Sequence, residues 1–188
     1  MDGGLMVAET ADEVALLERK IARENAEGLR SRLIDGQQAR DIAPYLSPTI
    51  LAAGYSPDEG HVDARLVTVA LAEAAQAAGA LILRDNQVKS ISRVSGKFRI
   101  DSGGPMLIGD KVLLATGAWS ARVGAMLNLH IPLFPVALLM NATERSDLSV
   151  PHLIQHVGWR LSLKQTNSGN LLIGGGWPAR MNVNEAVE

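Results

Sequence analysis

Apolar and polar positions along the chain fall into two regimes that meet near Gly79. In the first, Gly3–Ala8 reads as a buried strand followed by a helix start. Thr10 and Glu13 stand at the spacing of a capping box, and Val14, Leu17, Ile21 and Leu29 recur on one helical face lasting to about Gly28. A short helix over Asp35–Ile42 is stopped by Pro44, and Leu46–Tyr55 runs as a loop into a short strand. Pro57–Gly60 has turn composition. Asp63 then caps a long helix whose stripe is Leu66, Val69, Ala70, Ala74 and Ala78, with Gly79 as its stop. Beyond Gly79 short strands dominate, expected over Ala80–Leu83, Gln87–Val94, Lys97–Asp101, Met106–Ile108 and Lys111–Ala115. A helix from Trp119 ends before Asn128, and Pro132 and Pro135 flank an extended segment continuing through Val136–Ala142. Strands are then expected at Leu153–Val157, Trp159–Gln165 and Leu171–Gly174.

One junction stands out. Val112–Ala115 is an apolar run too short for a helix and suited to a strand buried on both faces, and it ends at Thr116-Gly117 before a helical start. Such a bend brings bare backbone N–H groups to one point, and Gly117 has no side chain to obstruct a phosphate or a flat cofactor. An ordinary strand–turn–helix junction reads the same way from these residues alone.

Composition narrows the function classes. Of 188 residues, 47% are hydrophobic and 20% charged, with a net charge of −2, which fits one core-forming domain rather than a nucleic-acid binder. No apolar run reaches the roughly 18 residues of a membrane span, and no signal-peptide layout opens the chain. With no cysteine, disulfides, thiolate zinc, iron–sulfur clusters and a Cys nucleophile are excluded; a cytoplasmic location is expected. There is no Gly-x-Gly-x-x-Gly, Walker loop, His-Glu-x-x-His or Gly-x-Ser-x-Gly. His152 and His156 stand four apart, but Pro151 and Gly158 favour extended chain, where they lie about 13 Å apart, so no shared metal is expected. Period-two alternation over Arg160–Gln165 puts Gln165 on the apolar side with Leu161 and Leu163. A buried amide needs partners, so Gln165 either bonds a neighbouring strand or looks into a cavity.

The order of motifs resembles the interior of the flavin-dependent amine and amino-acid oxidoreductases, the group of D-amino-acid, glycine and sarcosine oxidases. The resemblance runs through Gly3-Gly4-Leu5, Gly60–Asp63, Ala78-Gly79-Ala80, Ala115–Ser120, Ile131-Pro132 and Pro135, Leu163–Gln165 and Gly169–Gly176. It implies an α+β (mixed α/β) fold: a mixed or antiparallel sheet forming a substrate domain with helices on one side, plus part of a split FAD-binding Rossmann-like core. The pieces of that core are expected at about residues 60–125. The glycine fingerprint would lie before Met1 and the last flavin segment after Glu188, so the 188 residues are expected to be an interior fragment.

By the same resemblance Val88 offers backbone groups to the adenine, though a plain buried strand valine is equally compatible. Ala115, Thr116 and Gly117 pass beside the FAD, and Trp119 packs at the following turn. Tyr55, His61 and Gln165 would face a small amine or amino-acid substrate, with packing or surface roles as the alternative for each. No catalytic side chain is implied, because in this family the flavin takes the hydride. The position after Pro135, often Arg-Gly in the family, is Ala137-Leu138 here. The fragment alone is expected to be inactive and not to retain FAD. A homo-oligomer or a partner subunit is expected, and a non-catalytic assembly module is the alternative reading.

Overall fold

The computed structural model describes residues 2–179. The C-terminal polar stretch Asn182–Glu188, expected to break off without a closing element, lies outside them. The chain divides into two units, Met1–Val67 with Leu138–Glu188, and Thr68–Ala137.

The first unit is built on a seven-stranded mixed sheet. Its strands are β1 (Gly4–Ala8), β2 (Arg32–Asp35), β3 (Ala52–Ser56), β7 (Leu138–Arg145), β8 (Leu153–His156), β9 (Ser162–Gln165) and β10 (Asn170–Pro178), in the order β2-β3-β1-β8-β9-β10-β7. Strands β1 and β8 run parallel; the other described neighbours are antiparallel. Alternation along β1 assigns its two faces. Ala8 packs with Leu17 and Ile21 of α1 (Ala11–Ala26), with Met6 against them. On the other face Leu5 and Val7 cluster with Ile34, Ala53, Val150 and Ile154, and with Ala39 and Ala43 at α2 (Gly36–Ile42). The long helix thus takes one face, while the short α2 and its following loop cover the other.

Both helix starts are chemically specified. The Thr10 hydroxyl accepts from the Glu13 N–H while the Glu13 carboxylate accepts from the Thr10 N–H. Asp35 and Gln38 repeat the arrangement on α2. Strand β2 has no sequence signal of its own. It is four residues long with one buried side chain, Ile34, too little pattern to separate from the helix start at Asp35.

The second unit carries most of α3 (Ala64–Ala77), an antiparallel meander of β4 (Ser90–Val94), β5 (Lys97–Asp101) and β6 (Leu107–Gly109), a 3₁₀ turn at Gly117–Trp119 and α4 (Ser120–Ala125). Asp63 caps α3 as expected, accepting from the Arg65 and Leu66 N–H groups. The helix closes at Gly79, whose φ of +93° only glycine adopts freely. Ser95 and Gly96, both at positive φ, make the two-residue turn between β4 and β5.

Two expected strands, Ala80–Leu83 and Lys111–Ala115, do not form, and the expected Gln87–Val94 strand forms only from Ser90, as β4; Leu113, expected to be buried, is 89% exposed. An apolar run becomes a buried strand only beside a partner, and no described strand pairs with 80–83 or 111–115. Helix α3 shows the same thing: its apolar stripe is present, yet none of its residues is buried.

Candidate functional site

In the second unit Ala115–Trp119 follows unpaired chain rather than the expected strand and enters the 3₁₀ turn at Gly117–Trp119. Ala115 and Gly117 are exposed and Thr116 half-buried. Gly117 has φ +52°, and a Cβ placed there would meet no atom within 4 Å. The Thr116 carbonyl accepts from the Trp119 N–H at 3.0 Å, and the Thr116 hydroxyl donates to Ser120 Oγ at 3.2 Å. The N–H groups of Thr116, Gly117 and Ala118 make no hydrogen bond to another described residue. Three N–H groups without a partner among the described residues thus flank a residue that has no side chain. Trp119, expected to pack at this turn, is instead 59% exposed.

Val88 lies two residues before β4 rather than within it. Pairing begins with the Lys89 N–H, which donates to the Asp101 carbonyl at 2.7 Å. Val88 is half-buried, and its own N–H and C=O bond no described residue. Its backbone is therefore available to a ligand edge.

The three residues expected to face substrate all belong to the first unit. Register runs Tyr55–Leu5–Ile154–Leu163 across β3, β1, β8 and β9, so Tyr55 lies level with a position two residues before Gln165. His61 and Gln165 meet directly: His61 Nε2 donates to the Gln165 backbone carbonyl at 3.1 Å. The Gln165 side chain is fully engaged. Its Oε1 accepts from the Val150 N–H at 2.8 Å, and its Nε2 donates to the carbonyls of Leu148 at 2.6 Å and Gly169 at 3.2 Å. The amide staples the β7–β8 loop to the β9–β10 turn, and Gln165 also lines the cavity beside them. That loop and turn enclose an open cavity of about 380 Å³. The Tyr55 hydroxyl donates to the Asp2 carbonyl at 3.2 Å, and the Arg32 guanidinium lies 5.3 Å from its ring centroid. A separate cavity of about 590 Å³ borders Tyr55, Arg30 and Arg32.

Two polar groupings escape the sequence pattern. The Tyr45 hydroxyl lies 2.8 Å from Nδ1 of the buried His152; burial pushes the Tyr45 phenol up to about 12 and the His152 ring below its ordinary value. His156, the last residue of β8, faces Glu9 and Glu13. The sequence signals are the His152/His156 pair and the Glu13 capping box. Nothing in the spacing of either reveals that they meet different partners. Among the described residues, no three His, Cys, Asp or Glu side chains are grouped to hold a metal, and no helix is long and apolar enough to cross a membrane.

The model of the FAD dependent oxidoreductase family (DAO) matches residues 1–186, and the chain belongs to that family. It is 32% identical over 135 residues to glycine oxidase of Geobacillus kaustophilus, covering 71% of this chain and 36% of that one. The crystal structure of a Geobacillus kaustophilus glycine oxidase superposes with a TM-score of 0.83 at 25% identity, over 97% of this chain and 50% of that one. Mitochondrial dimethylglycine dehydrogenase of Rattus norvegicus is 29% identical over 136 residues, covering 71% of this chain and 16% of that protein. An opine oxidase subunit of Rhizobium meliloti is 27% identical over 142 residues, covering 76% of this chain and 37% of that protein. The 188 residues thus span a minor part of these curated relatives.

Proposed function

We propose that these residues form the middle of an FAD-dependent oxidoreductase that oxidises the C–N bond of an amino acid or secondary amine. When bound, the flavin supplies the hydride acceptor. The chain's own part is binding and orientation. The N–H groups of Thr116, Gly117 and Ala118 line the cofactor's path, Ala115 and Gly117 leave room for it, and Val88 presents its N–H and C=O to the adenine edge. Trp119, with an exposed ring, is available to close over that path. Tyr55, His61 and the Gln165-stapled loop shape the substrate side; Gln165 acts by holding that loop, since its amide has no free group to offer.

The observation that carries this reading is the bend at Gly117, where three adjacent N–H groups have no partner among the described residues and a Cβ at Gly117 would meet no atom within 4 Å. The names of the relatives, glycine oxidase, dimethylglycine dehydrogenase and opine oxidase, support a small amine or amino-acid substrate. In this proposal about residues 60–125 are pieces of the FAD-binding core, which polypeptide beyond the 188 residues completes. The chain alone then neither holds FAD at micromolar concentration nor turns over substrate. The absence of cysteine fits a cytosolic protein.

The test uses the complete reading frame, purified and mixed anaerobically with glycine, sarcosine, dimethylglycine, proline and an opine in turn. Loss of the oxidised flavin absorbance with one of them is expected, and its abolition by Gly117→Val, which puts a side chain at the bend. A yellow protein bleached by none of these substrates overturns the C–N assignment, and a colourless one overturns the cofactor assignment.

A second reading rests on the exposed apolar side chains of the second unit, among them Leu81, Leu113 and Phe134, each 80% exposed or more. They suit a surface buried by other polypeptide, so an assembly role without catalysis fits them as well. The opine oxidase relative is itself named as a subunit.

A further inference from the structure

The connection between β8 and β9 is closed by the His156 backbone N–H, which donates to the Leu161 carbonyl at 3.2 Å, and by the His156 imidazole. His156 Nδ1 accepts from the backbone N–H groups of Gly158 at 3.0 Å and Trp159 at 2.9 Å. A nitrogen accepting two N–H bonds carries no hydrogen, so the ring is neutral with its hydrogen on Nε2. That Nε2 is buried without a hydrogen-bond partner among the described residues, and the side chain is 6% exposed. The charged groups facing it are Glu9, just after β1, with Oε2 at 3.6 Å, and Glu13 in the first turn of α1, with Oε2 at 4.0 Å. Trp159 meets the ring edge-on, with centroids 6.5 Å apart. The turn's own cation, Arg160, is directed to the Gly176 carbonyl at 3.2 Å.

Both carboxylates are themselves anchored. Glu13 accepts from the N–H groups of Glu9 and Thr10, and Glu9 accepts from the Thr49 hydroxyl. The acids are therefore fixed in place beside a donor they do not quite reach, and the ring is fixed by a turn that its charged form cannot hold.

We propose that His156 is an acid-released latch on the Gly158–Arg160 turn. Protonation places a hydrogen on Nδ1, which removes the acceptor for both amides. The charge formed is met by Glu9 and Glu13, so the ring exchanges the turn for an ion pair at the N-terminus of α1. The freed turn carries Trp159, 70% exposed, and the backbone of Arg160, against which Gly175 of β10 is pressed so closely that a Cβ there would lie 1.9 Å from the Arg160 carbonyl. Opening the turn therefore releases the glycine segment of β10 too. The latch operates whether or not the chain binds flavin.

The experiment is hydrogen exchange of the Gly158 and Trp159 amides by NMR on the full 188-residue chain, from about pH 8 to about pH 5, where histidines ordinarily titrate. After correction for intrinsic exchange, protection of both amides should fall about ten-fold or more, while β1 amides keep theirs. His156→Asn keeps an acceptor in place of Nδ1 but cannot take up the proton, so its protection should not change with pH. Unchanged protection in the natural chain, or the same loss in His156→Asn, overturns the latch. Should His156→Asn not fold, ring ¹⁵N spectra of the natural chain at about pH 8 are decisive: hydrogen on Nε2 upholds the latch, and hydrogen on Nδ1 overturns it.

Discussion

Both units are rich in apolar sequence, with opposite fates for it. In the Met1–Val67 and Leu138–Glu188 unit, Leu5, Leu17 and Val150 are at most 1% exposed, and the unit holds thirteen of the fourteen buried hydrophobic side chains among the described residues. In Thr68–Ala137 only Ile91 joins them, while Leu71, Leu81, Leu113 and Phe134 stand 65–89% exposed. Periodicity records which positions need a partner; it does not say whether the partner is on the same stretch of chain. The first unit contains both sides of its core. The second presents one side, which is the state expected of a slab that lies against a cofactor and further polypeptide.

The sharpest way to break this comparison is a matched pair of truncations. Leu17→Ala removes a fully buried side chain and should cost about 2–5 kcal/mol, whereas Leu113→Ala should stay within about 0.5 kcal/mol in the chain alone. Urea midpoints of the two variants check it, and equal losses would contradict the difference between the units. Glycines give the next contrast. Gly175→Ala drives a Cβ into the Arg160 backbone and should cost about 3 kcal/mol, while Gly117→Ala meets no atom and should cost only the left-handed backbone penalty of about 1 kcal/mol.

Gln165→Leu tests the staple within the first unit. It leaves the Val150 N–H and the Leu148 carbonyl without their partner, a loss of about 2 kcal/mol, and should speed proteolysis of the 146–150 loop. Gln165→Glu keeps the acceptor for Val150 and loses only the donor, so it should cost less. The smallest expected effect is a pH slope. Burial holds the folded His152 ring below its ordinary value, so the unfolded chain takes up a proton near pH 6.5 that the folded chain refuses. Stability of the first unit should be at its full value above that pH and decline as the pH falls below it. His152→Asn should flatten its share of the slope in urea titrations at successive pH values.

Most of the first unit could be read from the residues because its signals are local. Thr10 and Glu13 cap α1, Asp35 starts α2, and the short apolar runs find β8, β9 and β10 to within a few residues. At Gly117 the turn into a helical segment was readable from a few adjacent residues, but the strand expected before it was not formed. What could not be read depends on distant neighbours. Leu113 carries the pattern of a buried strand whether or not another strand is beside it. Gln165 announced a buried amide but not its three partners, which come from a loop 15–17 residues upstream and a turn four residues downstream. His156 showed a spacing that suggested metal, while its tautomer is set by two amides that lie two and three residues further on.

Hydrogen exchange resolved along the 188-residue chain tests the contrast between the units most directly. Amides of β1, β3 and α1 are predicted to stay protected on the scale of global unfolding, while those at 81–88 and 111–118 exchange almost as freely as in an unfolded peptide. Protection at 111–118 equal to that of β1, in the chain alone, would show a second unit sealed by its own residues and would contradict the division drawn between the two.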